Sequence, residues 1–169
     1  MEIKTLKVGY LQTNCYILKI GTSAIIIDPG DESELIKKEI GNLKIKGILI
    51  THHHFDHIGA LKDFKNIKIY DNALEEKEYI IDEFKFNVIK TKGHTDDSIS
   101  FYFKNENIMF VGDFVFEGTI GRTDLESGNM EEMKKSIEKL KTYPKNTKLY
   151  PGHGNTTTLI SELENNPFF

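Results

Sequence analysis

The chain has a single cysteine, no apolar run of membrane-spanning length and no stretch in which basic residues gather. Each of these absences removes a class of protein. A lone Cys15 cannot close an internal disulfide, which points to a reducing compartment. Its setting, "TNCYIL", reads as the start of an apolar strand, with no cationic or helix N-terminal neighbour to activate the thiol. The opening segment "MEIKTLKVGYLQTN" scatters charges through its first residues and lacks the apolar core of a signal peptide. Elsewhere no run approaches the roughly 18 apolar residues of a transmembrane helix, so a cytoplasmic protein without a membrane partner is expected. Net charge is −4 and the pI is near 5.9, with lysines interspersed among glutamates. A nucleic-acid partner therefore has little electrostatic support, and a small-molecule substrate is expected instead. A length of 169 residues suits one domain spanning 1–169, which buries roughly two thirds of its unfolded surface and needs neither disulfide nor metal merely to fold.

What is present is an alternation of short strands and helices. "EIKTLKV" and "CYILKI" read as strands, and "AIIIDPG" as a buried strand that Asp28, Pro29 and Gly30 end. "DESELIKKEI" is amphipathic through Leu35, Ile36 and Ile40. "IKGILIT" is the next strand and runs directly into "HHHFDH". "DHIGALKDF" suggests a short helix, "IKIY" a strand, "NALEEKEYI" a helical stretch and "FKFNVIKT" a strand. "SISFYF" and "NIMFVGD" form a hairpin pair around "KNE". "NMEEMKKSIEKLKTY" is the strongest helix signal, with Met130, Met133, Ile137 and Leu140 on one face and Asn129 as a candidate N-cap. "TKLYPGHG" is a strand ending in a histidine turn, and "TTTLISELENN" a closing helix.

All six histidines (His52, His53, His54, His57, His94 and His153) fall in turns that follow strands, as does Asp113 at the end of "NIMFVGD". A sheet can bring such turns to one edge, whereas histidines without a shared role would be scattered. In an extended loop side chains alternate, so His52 and His54 point one way and His53 the other. Asp56 keeps the parity of His52 and His54, and His57 opens a helix that can turn it towards a neighbouring position. Imidazole and carboxylate donors in this arrangement suit zinc, and also iron or manganese, at two adjacent sites. His53 is expected to point into the protein as a hydrogen-bonding group and not as a ligand.

Taken together, "THHHFDHIGA", "KGHTDDSIS", "VGDFVFEGTIGRTDL" and "YPGHG" resemble the metallo-β-lactamase superfamily, and within it the glyoxalase II-like (hydroxyacylglutathione hydrolase-like) branch. The resemblance covers nearly the whole chain. It implies an α/β fold, an αββα sandwich of two mixed β-sheets with helices on both outer faces and a binuclear metal site at one edge. By matching motif it implies one metal held by His52, His54 and His94 and a second by Asp56, His57 and His153, with Asp113 bridging. Lactamases are expected to be excluded, because they place a cysteine near the position of Asp113.

The chemistry so implied is hydrolysis. Two divalent ions, most readily zinc, would share a hydroxide and polarise a carbonyl, with Asp56 orienting the nucleophile and able to take its proton. A thioester of a small acylated thiol suits this set best, since a thiolate leaves without a general acid. The alternatives are a persulfide dioxygenase using one iron held by two histidines and an aspartate, or hydrolysis of another ester or a phosphodiester. Relatives with the dioxygenase activity usually depart from "PGHG", so His153 favours the hydrolase. Arg122 and Asp124 match the family pattern and are read first as a local pair ordering the loop. Phe55, Phe110, Phe114 and Phe116 would wall a pocket or join the core.

Three departures stand out. About sixteen residues follow His153, where glyoxalase II enzymes carry a further helical region for glutathione. The segment from Tyr70 to Phe86 is short, leaving the site open, and Asp96 and Asp97 replace a frequent Pro-Gly, acting as a turn cap.

Overall fold

A computed structural model describes residues 1–169. Strands β1 (Glu2–Val8), β2 (Thr13–Ile20), β3 (Ser23–Ile27), β4 (Lys44–Leu49) and β5 (Ile69–Tyr70) form one mixed sheet in that order. The second sheet runs β13 (Thr157–Thr158), β12 (Lys148–Pro151), β9 (Ile108–Gly112), β8 (Ile99–Phe103), β7 (Phe84–Lys90) and β6 (Glu78–Ile81). A small hairpin, β10 (Val115–Phe116) with β11 (Thr119–Ile120), extends from β9.

The layering follows from alternation along the strands. Ile25 and Ile27 of β3 face inward against the second sheet, while Ile26 faces the opposite side. Phe101 and Phe103 of β8 join the same inter-sheet core as Phe84, Phe86 and Phe110, and Tyr102 faces outward. Each fully buried phenylalanine contributes on the order of 2–3 kcal/mol through apolar burial, so this aromatic layer holds the two sheets together. Outside the first sheet lies α1 (Ser33–Ile40), through Ile36 and Ile40. Outside the second lie α3 (Met130–Leu140), through Met133, Ile137 and Leu140, and α4 (Leu159–Asn165), through Leu159. The short α2 (Phe55–Ile58) sits at the sheet edge. The result is the expected αββα sandwich.

Four local readings change. The stretch "NALEEKEYI" is not helical: residues 71–77 are turns and Glu78–Ile81 is β6, paired antiparallel with β7 in the register Tyr79↔Phe86 and Ile81↔Phe84. Its local helical composition is overridden by the burial that Tyr79 and Ile81 gain across the hairpin. Thr157 and Thr158 pair with β12 before α4 begins. "DHIGALKDF" breaks into α2 and a single 3₁₀ turn at Leu61–Asp63. Met130, expected on the apolar face of α3, is exposed in its first turn.

Asn129 caps α3 as expected, its Oδ1 accepting from Glu131 N at 2.9 Å and Glu132 N at 3.1 Å. Its own N–H donates to Gly93 O, which ties the helix start to the loop carrying His94. Asn129→Ala should therefore lower stability by about 1 kcal/mol in denaturant unfolding, through the lost cap.

Candidate metal centre

The site collects the ends of strands from both sheets. β4 ends at Leu49 and leads through Thr51 to His52 and His54; α2 presents Asp56 and His57. The loop after β7 carries His94, the end of β9 delivers Asp113, and the turn after β12 delivers His153. The two sheets are laced together at this edge by Ile99 N–H donating to Thr51 O at 2.8 Å.

Seven side chains form three overlapping donor groups, each with its donor atoms within 4.8 Å: His52, His54 and His94; His52, His57 and Asp113; Asp56, His57 and His153. In the first group His54 Nδ1 lies 3.1 Å from His52 Nε2 and 3.0 Å from His94 Nε2. Asp113 stands between the groups, with Oδ1 3.4 Å from His57 Nε2 and Oδ2 3.6 Å from His94 Nε2 and 3.5 Å from His153 Nε2. His57 Nε2 and Asp113 Oδ1 are buried and have no hydrogen-bond partner. Orphaned buried polar atoms are costly unless something satisfies them. A donor set of imidazoles and carboxylates with two such atoms facing each other fits a bound divalent cation.

The protonation states follow from the surroundings. Burial drives the imidazole of His52 well below its ordinary range, with His57 adding to the effect, and burial with His94 lowers His54. Both are therefore neutral, the form that binds metal. For His57 burial opposes the charge, but Asp28 and Asp113 outweigh it and the imidazolium is pushed up to about 10. Burial also raises the carboxyl of Asp113, yet the facing His57 imidazolium at 3.4 Å and the surrounding imidazoles prevail and hold it well below the usual carboxylate range.

The neighbours that orient these groups were only partly evident beforehand. Asp28 is buried at positive φ and accepts from Thr51 N–H at 2.8 Å, Thr51 Oγ1 at 2.7 Å and His57 Nδ1 at 2.9 Å. It ends a strand just as the donors do, and that was the available signal. His94 Nδ1 donates to Arg122 O at 2.7 Å, fixing the ring by a backbone carbonyl. The Arg122 guanidinium forms a bidentate pair with Asp124, at 2.7 and 2.8 Å, in keeping with the local role expected for it. Glycines permit the close approach: a Cβ on Gly30 would collide with Asp56 O, and one on Gly152 would lie 2.2 Å from Asp113 Oδ1 and 2.6 Å from His57 Cε1.

His53 turns away from the cluster, as its parity required. Its Nδ1 lies 2.5 Å from Asp97 Oδ2 and its Nε2 3.6 Å from Asp71, and its side chain is 40% exposed, at the rim and not inside the protein. Asp97 also accepts from Thr95 Oγ1 and His53 N–H, so it closes the turn as a cap. Among the aromatics, Phe110 and Phe114 are core, Phe116 packs near His153 with ring centroids 6.2 Å apart, and Phe55 is 74% exposed. Cys15 is buried, and burial followed by the charge of Asp28 pushes its thiol far above its ordinary range, leaving it inert.

Fold and donor arrangement together define a metallo-hydrolase scaffold. The sequence matches the Metallo-beta-lactamase superfamily over residues 8–82 and 67–153, and the chain belongs to that superfamily. The two matched pieces overlap over residues 67–82, which carry β5 and β6. Among curated relatives, the chain is 35% identical to the "Probable metallo-hydrolase YqgX" of Bacillus subtilis, covering 99% of this chain and 97% of that protein. It is 30% identical to the "Hydroxyacylglutathione hydrolase GloC" of Haemophilus influenzae, covering 99% and 98%. These relationships agree with the glyoxalase II-like branch. Among solved structures it resembles BLEG-1, described as a B3 metallo-beta-lactamase (33% identity, TM-score 0.91, 99% of each chain). It also resembles TTHA1623 in a di-iron-bound form (31%, 0.87, 98% and 100%) and ETHE1 from Myxococcus xanthus (27%, 0.89, 99% and 84%). BLEG-1 thus carries the name of a class that the missing cysteine was expected to exclude.

Two outcomes follow for this centre. Gly152→Ala forces Asp113 and His57 apart, so metal bound per chain should fall, measured by atomic emission on the purified variant. Metal uptake near pH ~8 should release protons, because a ligating imidazole must be neutral and His57 in the metal-free chain titrates at about 10. The sign is fixed by the raised value. In the metal-free chain the stabilisation from His57 is complete below the ordinary imidazole value of about 6.5 and is lost as pH rises through about 10. Calorimetry in buffers of different ionisation enthalpy should thus show proton release near pH ~8 that fades above about 10.

Proposed function

We propose that this chain is a binuclear metal-dependent hydrolase that cleaves thioesters of small acylated thiols. The observation that carries the reading is Asp113, whose two carboxylate oxygens reach donors of both groups while Oδ1 and the facing His57 Nε2 lack any other partner. His52, His54 and His94 would hold one ion and Asp56, His57 and His153 the other, with Asp113 shared between them. When bound, two divalent ions supply a nucleophile from water at neutral pH and polarise a carbonyl. Zinc suits these nitrogen and oxygen donors, and so does iron, in line with the di-iron form of TTHA1623.

The residues then divide the remaining work. Asp56 is partly exposed at the mouth of the site and is held ionised, since bonds to His153 and Thr13 and the charge of His57 outweigh its burial. An ionised carboxylate there can orient a water molecule and accept its proton. Asp28, through His57 Nδ1, fixes which ring nitrogen faces the site. A thiolate whose conjugate acid titrates near ~8.5 departs without protonation, and the site offers no additional acid for a poorer leaving group. GloC, which carries the hydroxyacylglutathione hydrolase name, is matched over 98% of its length. An extended C-terminal region is thus no requirement for that name, and an acylated thiol remains the favoured substrate.

The test is metal content followed by one substrate panel on the same preparation: S-lactoylglutathione, other acyl thiols, a phosphodiester, a β-lactam and a persulfide. Two ions per chain and thioester hydrolysis are expected, with Asp56→Asn lowering kcat by about 10²–10⁴-fold. One iron per chain, with oxygen uptake on the persulfide and no thioesterase activity, would overturn the reading in favour of a persulfide dioxygenase.

A further inference from the structure

The His52–His54–His94 group and two members of the Asp56–His57–His153 group are supported by different parts of the chain, while His57 shares Asp28 with the Thr51 that holds His52. His52 is held through Thr51 and His94 through Arg122 O, at 3.1 and 2.7 Å. Asp56 and His153 lean instead on the start of β2 and the turn before it. Thr13 Oγ1 donates to Asp56 Oδ2 at 2.8 Å, and His153 Nδ1 donates to Leu11 O at 3.2 Å. The turn that carries His153 is clasped by the next residues. Asn14 N–H donates to Gly152 O at 2.7 Å, Asn14 Nδ2 to Pro151 O and Gly154 O at 3.0 Å each, and Tyr16 Oη to Pro151 O at 2.6 Å.

Thr13 has the properties of a fixed donor. It is 0% exposed, its backbone is locked in the β1–β2 ladder opposite Val8, and β-branching restricts its rotamers. An ionised carboxylate only accepts hydrogen bonds, so the hydroxyl must spend its single proton on Asp56. The same Oδ2 lies 3.2 Å from His153 Nε2 and 3.6 Å from His57 Nε2. Removing the hydroxyl would leave Asp56 to be oriented by its own backbone N–H and by imidazoles that must be free for a cation.

We infer that Thr13 is a positioning residue for the second metal: by holding Asp56 Oδ2 it sets the affinity of the Asp56–His57–His153 half without acting on the His52–His54–His94 half. The inference rests on the binuclear reading above. No hydrogen bond joins His52, His54 or His94 to β2, so the Thr13–Asp56 bond bears on the second half.

The test titrates Zn²⁺ into the chelator-stripped full chain against a competing chromophoric chelator, for wild type, Thr13→Val and Thr13→Ser. Valine keeps the shape and loses the donor; serine keeps the donor. Thr13→Val should weaken the second ion by about 10–100-fold and leave the first within about twofold, while Thr13→Ser restores the second. Equal weakening of both ions, an unchanged second ion in Thr13→Val, or loss of the second ion in a folded Thr13→Ser would overturn the inference while the binuclear reading stands. A wild type that takes only one Zn²⁺ would overturn both. Should Thr13→Val fail to fold by circular dichroism, Thr13→Ala takes its place with the same expected split, and equal affinities there would overturn the inference.

Discussion

The structure depends on gathering imidazoles and carboxylates at a buried edge where they cannot satisfy one another. Two neutral histidines whose ring nitrogens lie about 3 Å apart share at most one proton between them, and His57 Nε2 faces Asp113 Oδ1 without a partner for either. Desolvation alone would make such a cluster expensive. The arrangement is held because four of the five rings are pinned on their far side: His57 by Asp28, His94 by Arg122 O, His153 by Leu11 O, His52 by Thr51. A cation at this edge would complete the coordination that these contacts prepare, which is why the far-side contacts matter as much as the donors.

That preparation is built from the sandwich itself. The donors sit on loops, but each loop leaves a strand whose side chains are locked in the inter-sheet aromatic layer or against α1 and α3. The rigid layers bring residues 52–57, 94, 113 and 153 to one edge, and small residues let the backbones close in. Gly30 admits α2 against the end of β3, and Gly152 admits the His153 turn against Asp113. No helix is long and apolar enough to cross a membrane, and the site reaches the protein surface, where His53 is exposed and Phe116 lies beside His153.

Much of this was legible in the linear chain. Strands ending in polar residues announced a shared edge, and the alternation in "HHHFDH" separated His52 and His54 from His53, because side chains in an extended loop point to opposite sides. Asn129 was readable as a cap because its action is confined to the next three residues. The helical reading of "NALEEKEYI" failed for the opposite reason: its strand identity comes from pairing with β7, which no local pattern contains. Asp28 looked like a strand terminator, and its bond to His57 spans 29 residues.

The sequence by itself determined which donors exist, their order along the chain and the faces on which neighbours in one loop lie. These are set by residue type and by the two-residue period of extended backbone. Only the tertiary structure decided which donors meet, that Asp113 stands between the two groups, and that Thr13 braces an aspartate 43 positions away. Those relations arise when two sheets close on a common core and place distant strand ends within hydrogen-bonding distance.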